Sequence, residues 1–391
     1  MSTLSLPEVW PTVLRQAFDE EFIMSTILCV AAAHLAVLSP QEPKYSSAKS
    51  QLLPKSLRLL RLGLSRPITK QTCDALAGTT VLVNYISWCN LDFLAEQHIS
   101  HHPGGSDTTT GLDLSQDQLF LLSPGVLQVY LQGLPVFIEH DSVFLTIGKQ
   151  HPRINIENVL AARGEDATRF VEPFMKMWDD PRYMTCSAPA GDQASSDTPF
   201  RRTWSFFSEV ESELYRTYDT SSRPKDVMLV YYGNTPEETR DAILRVQSAK
   251  NSNAAGDIPT PESQPGEVAL GEQALIPRRT AFERVVRRLS PLLSCLSAPQ
   301  GSANAFPGAP MPRQADLQRL IFTFPVFCCG AMLELVAAGD ARTLIMLYHF
   351  YRAVRILLPT EESWWAGERS RHLEGLILAE LKARGYDACL R

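Results

Sequence analysis

The sequence predicts an all-α protein with one large helical core, and three observations predict it. Apolar residues recur at steps of three and four along most of the chain, which is the helical period. The 391 residues are 45% hydrophobic and 20% charged, a folded globular composition able to bury a sizeable core. Fifteen of the 27 prolines lie between Pro173 and Pro312, so the middle third reads as helices joined by long loops while the ends are compact.

From the N-terminus, Phe22, Ile23, Ile27, Val30, His34 and Leu38 place one apolar stripe on a helix over Glu20 to Leu38, and Ser39-Pro40 stops it. Tyr45 to Leu64 follows, with Leu52, Leu53, Leu57, Leu60 and Leu64 inward; Pro54 is placed to kink it or mark a late start. Thr69 to Ala95 reads as a third helix, although Thr79 to Ile86 is β-branched enough to suit a strand. His101 to Asp113 has loop composition. A helix over Gln116 to Gly133 is interrupted at Ser123-Pro124-Gly125, Pro135 to Gly148 forms another, and Asn155 to Arg163 a short one.

Disordered insertions are expected at 183–199, 251–271 and 297–312. Between them, Phe200 to Tyr218 and Thr235 to Lys250 read as helices, the latter opened by Thr-Pro-Glu-Glu. Ala315 to Phe324 is amphipathic, and Pro325 breaks it. Val326 to Ala338 is apolar nearly all round and is expected to be a central helix. Gly339-Asp340 is a turn, Ala341 to Leu358 is apolar on most faces, Trp364-Trp365 follows, and Glu368 to Arg384 closes the chain. These elements predict one domain over 1–391.

A net charge of −6 argues against a chain that wraps nucleic acid by itself, because phosphates attract a basic field. The eight cysteines include no CxxC pair, so a zinc finger has no ligand framework. Most lie in apolar runs, where a free thiol behaves as a small hydrophobe, and Cys328-Cys329 read as buried thiols. Met1 to Pro11 lacks a basic region followed by an apolar core, so no signal peptide is expected. Apolar stretches are interrupted before about 18 residues, so no membrane span is expected either.

Catalytic motifs are missing. GxSxG, HExxH and a glycine-rich phosphate loop do not occur, and Val143 stands where the loop ending in Gly148-Lys149 requires Gly. Asp179-Asp180 opens an aspartate-rich string whose fifth position is Tyr183, and Pro181 disrupts the helix that would present it; a solvated turn is expected. His98, His101 and His102 with Glu96 are metal-ligating types at the mouth of a loop without a second ligand group. His34 and His349 read as hydrogen-bonded core residues. Arg278, Arg279, Arg284, Arg287 and Arg288 form a basic segment, and the last three read as a solvated helix face. Phe327, Met332, Met346, Phe350, Trp364 and Trp365 concentrate in the C-terminal third, where Met and aromatics fill a core or line a pocket for a lipid-like molecule.

Three strings resemble a known family. They are Met24 to Leu38 with Tyr45 and Leu57-Arg58, Thr72 to Val83, and Phe324-Pro325 through Trp364-Trp365-Ala366-Gly367. In order and spacing they resemble the regulatory domain of fungal-specific transcription factors of the binuclear zinc cluster class, sterol uptake control type. The resemblance covers the two ends; Gly133 to Pro312 matches weakly. It implies an all-α domain that regulates transcription of sterol or secondary-metabolite genes, in the nucleus or in the cytoplasm before activation. It further implies a sterol-like hydrophobic ligand and a homodimer or transcription-factor partner. The ligand-binding residues it carries over are Phe327, Met332, Met346 and Phe350, with Trp364 and Trp365 as structural caps. No cofactor is implied. The family's six-cysteine cluster has no counterpart, since Cys29 already lies in the first regulatory helix, so direct DNA binding by these residues is not expected. An enzyme with an unrecognised site and a dimerisation scaffold remain the alternative readings.

Overall fold

The computed structural model describes residues 9–94, 112–145, 151–183, 240–248, 270–296, 311–359 and 363–386, and every regular element among them is a helix. In chain order these are α1 (Val9–Gln16), α2 (Glu21–Leu38), α3 (Pro43–Leu64), α4 (Cys73–Cys89), α5 (Gln118–Glu139), α6 (Pro152–Ala162) and α7 (Val171–Asp179). A helical stretch at 240–248 follows. Then come α8 (Leu270–Leu296), α9 (Gln314–Thr323), α10 (Ala331–Ala337), α11 (Ala341–Leu357) and α12 (Trp364–Ala383), with 3₁₀ turns at Pro181–Tyr183 and Phe324–Phe327. The expected helix over Phe200 to Tyr218, most of the three insertions and the His98–His102 cluster lie outside the described residues.

Helix α4 is the axis of the fold. Fourteen of its seventeen residues are buried, which makes it central rather than amphipathic. Helices α2 and α3 form an antiparallel hairpin against it, α5 packs along another side, and α12 closes over its C-terminal end. The β-branched run that suited a strand is helical. Its hydroxyls are satisfied within the helix: Thr79 donates to the Ala75 carbonyl, Thr80 to Ala77 and Ser87 to Val83. In the second half of the molecule α8 packs against α11, α7, α10 and α6. Both halves share one continuous hydrophobic core.

Several boundaries differ from the sequence expectation. The helix broken at Pro124 and its successor are one helix, α5, running through Pro124 and Pro135. Phe120, Val129, Leu131, Leu134 and Phe137 are buried along its length, and that burial outweighs the roughly 3 kcal/mol an internal proline costs. The central helix expected over Val326 to Ala338 is a seven-residue helix, α10. Gly330, at φ +59°, breaks the path between the 3₁₀ turn and α10, a conformation a side chain resists. Trp364 and Trp365 begin α12 instead of preceding it. Helices α1 and α7 were not expected, although Val171, Phe174, Met175 and Trp178 follow helical spacing and are buried.

The helix α2 is apolar on both faces, not on one stripe: Leu28 and Leu38 point outward, 50% and 64% exposed. By length and composition alone, α2 and α5 could cross a membrane, so the expectation that no apolar stretch is long enough does not hold. In this structure both are packed into the bundle, α2 on α3 and α4, α5 on α4.

Candidate functional site

The C-terminal end of α4 gathers the largest side chains of the core. Trp88 is fully buried, edge-on to Trp365 at 4.9 Å and tilted against Phe350 at 6.1 Å. Its indole Nε1 donates to the Phe322 carbonyl at 3.3 Å, and Asn84 Nδ2 donates to the same oxygen. That carbonyl lies next to Thr323, where Pro325 ends α9, so the two donors serve a helix end that lacks its own partners. Tyr85 leans on Phe322 at 4.5 Å, and Phe350 stacks on Phe324 at 4.0 Å. On the outer side of α12, His34 of α2 stacks on Trp364 at 4.4 Å. Burial holds the His34 imidazole below its ordinary range, so it is neutral near pH 7.

Of the four ligand-binding residues the family resemblance names, three lie in the main core. Met332 of α10 and Met346 and Phe350 of α11 are fully buried in the main core. Phe327 sits apart, in a small cluster with Val326 that Val126 and Leu127 of α5 cover. Its ring carries the Arg288 guanidinium 3.7 Å from its centroid. Phe327 therefore faces a cation as well as apolar groups.

Arg288 corrects the reading of the basic segment. It is not on a solvated face but 1% exposed, stacked on Phe327 and donating to Thr323 Oγ1 at 2.9 Å. The ring face supplies electron density where water is excluded, which lets a charged group lie in the core. Three of the other four arginines make ion pairs: Arg278 with Glu334, Arg279 with Asp179, and Arg287 with Glu283. Asp180 pairs with Arg182, so each of the two adjacent aspartates is engaged by an arginine. No group of three metal-ligating side chains occurs among the described residues.

One buried polar centre was not anticipated from the sequence. Arg369 of α12 and Asp117 are both fully buried and pair at 2.6 Å. The same guanidinium donates to the carbonyls of Ser87, Trp88 and Asn90, which lie in the last turn of α4 and its C-cap. Asp117 in turn accepts from the Leu119 amide as the N-cap of α5. One cation thus satisfies the end of one helix and the capping carboxylate of the next. Burial opposes the charge on Arg369, and Asp117 and Tyr351 together more than offset it, so the guanidinium is held above its ordinary range. A sequence signal existed: Arg369 stands between Trp365-Ala366 and Leu373, on the inward face of its helix.

The thiols are held as neutral groups. Burial pushes Cys29, Cys73 and Cys295 up to about 11 and Cys89 up to about 12, and raises Cys328 as well. Nucleophilic chemistry needs the thiolate, so none of these five is activated. At pH 8, iodoacetamide is expected to leave all five unmodified in the native protein and to label them all in guanidinium. Mass spectrometry of the digest checks this, and fast native labelling of any of them contradicts it. The stability these groups contribute is complete below the unfolded thiol value of about 8.5. It is lost as pH rises through their folded values of about 11 to 12.

No family model, no curated protein and no solved structure matches this chain. Its class is therefore defined by fold and core alone: a large all-α protein whose two ends pack into one unit.

Proposed function

We propose that this chain is a regulatory domain of transcription that works by binding, through a hydrophobic small molecule of sterol type or a protein partner. One observation supports this above the others. The first and third strings that resemble the fungal regulatory domain are far apart in sequence and touch: His34 stacks on Trp364. The second lies in α4, the helix that packs on both α2 and α12. Met332, Met346 and Phe350 are buried in the same main core, Phe350 against Trp88, and are the residues proposed to contact a sterol.

Two measurements test the reading. Deletion of the gene, followed by transcript profiling and chromatin association of the tagged protein, is expected to show a nuclear signal and a defined set of altered transcripts. Their absence removes the transcriptional reading. Ergosterol is expected to raise the unfolding temperature of the purified protein, because a ligand selective for the folded state stabilises it. An unchanged temperature in wild type removes the sterol and leaves the protein partner.

A further inference from the structure

Among the eighteen residues of α2 only Glu21 carries a charge near neutral pH. The inward face is Phe22, Ile23, Ser25, Thr26, Cys29, Val30, Ala32 and Ala33. The outward face is Met24, Leu28, Ala31, Leu35 and Leu38, at alternating steps of four and three. Among the described residues twelve large hydrophobic side chains are exposed, and eight of them fall between Leu14 and Leu64. That concentration separates a patch from the scattered apolar residues any surface shows. Phe18, 83% exposed, is the most exposed of all. It precedes α2 by a few residues, at the end of the hairpin where Gly63 of α3 backs onto Phe22; Leu62 and Leu64, either side of Gly63, are exposed too.

The neighbouring helix has the opposite character. Helix α3 carries Lys44, Lys49, Lys55, Arg58 and Arg61 and no carboxylate, on a chain whose net charge is −6. Lys44, Lys55, Arg58 and Arg61 are exposed. Lys55 reaches Glu21 at 2.7 Å, which joins the basic face of α3 to the apolar face of α2. Arg58 lies near enough to lower the Glu21 carboxyl further, and Arg61 makes no ion pair among the described residues. Lys44 pairs with Glu42 and Lys49 with Asp92, so Arg58 and Arg61 are the cations of α3 that no carboxylate engages in an ion pair among the described residues; Asp19 and Glu20 follow Phe18.

We infer that the α1–α3 face is a peripheral binding surface for an anionic lipid bilayer. Leu28, Leu35 and Leu38 would enter the boundary between headgroups and acyl chains, while the α3 cations meet anionic headgroups. Charge complementarity selects this occupant. A second copy laid antiparallel across α2 sets the α3 cations of both copies against each other, whereas anionic headgroups meet them with opposite sign. The exposed apolar residues also spread over three helices, a wider span than a single docked helix covers. The inference is independent of the transcriptional reading.

The test is cosedimentation of the full chain with vesicles of phosphatidylcholine alone and of equal parts phosphatidylcholine and phosphatidylserine. Wild type is expected to sediment with the anionic vesicles and remain in solution with the neutral ones. Arg58→Gln and Arg61→Gln are each expected to weaken binding about fivefold, the worth of one cation at such a surface. Leu28→Glu combined with Leu35→Glu is expected to abolish it with the circular dichroism spectrum unchanged, because both side chains are already open to solvent. Leu28→Ala with Leu35→Ala is the milder pair and is expected to weaken binding if the glutamates disturb folding. The inference is overturned if wild type ignores anionic vesicles, or if neutral vesicles bind it equally. It is also overturned if the leucine variants bind unchanged, or if lipid-free wild type forms a dimer that the leucine substitutions dissolve.

Discussion

Replacing Arg369 by Met is expected to destabilise the protein by about 3–5 kcal/mol, the usual result of removing one partner of a buried ion pair. The loss has two sources. Asp117, fully buried, is left without its cation in a site that water does not reach. The carbonyls of Trp88 and Asn90 lose the guanidinium as donor at the end of α4, and that of Ser87 keeps only the Asn90 amide. Urea unfolding with an unchanged slope measures the effect as a shifted midpoint. Asp117→Asn keeps a capping oxygen for Leu119, so it is expected to cost less than Arg369→Met. Combining the two is expected to cost less than the sum of the single losses, because the second change removes the acid that the first left without its partner. Strict additivity would show that the pair contributes nothing beyond its separate contacts.

Trp88→Ala is the second large effect, also about 3–5 kcal/mol, the range for deleting a buried aromatic side chain. The ring contributes area against Phe350 and Trp365, and its Nε1 serves the Phe322 carbonyl. Trp88→Phe separates the two contributions. It keeps most of the packing and removes the donor, and it is expected to cost clearly less than Trp88→Ala, since Asn84 still donates to the same oxygen. Denaturant unfolding of the three proteins reads both differences. Equal losses for Phe and Ala would place the energy in the hydrogen bond rather than in the ring.

The helices were legible where clear stops bound a long apolar run, as in α2 and α11, or one apolar stripe, as in α3, although the two-faced apolarity of α2 was not. The breaks were less so. Ser123-Pro124-Gly125 was read as an interruption, yet tertiary burial along α5 carries the helix through it. Gly330 has the opposite effect, since its left-handed conformation shortens a helix that apolarity alone extends. Polar residues in the core were the least legible. Arg288 and Arg369 have the composition of surface residues, and their burial depends on Phe327 and Asp117, partners distant in sequence. Helical periodicity records which way a residue points, and both arginines stand on inward faces. It does not record what waits there. The resemblance named Met332, Met346 and Phe350 from string order, and the structure sets those three in one core while placing Phe327 elsewhere.

The hydrogen bond from Arg369 to the Trp88 carbonyl spans 281 positions of sequence. A ribosome adding about 5–20 residues per second makes α4 on the order of tens of seconds before it makes α12. During that interval the end of α4 has neither its cation nor its Trp365 cover, and Asp117 stands without a counter-charge. The nascent chain therefore leaves the C-terminal end of α4 without these partners until α12 is made, although α2 and α5 already cover its sides. A loop of that length must close before this end is sealed, which makes its closure a late, long-range step of folding.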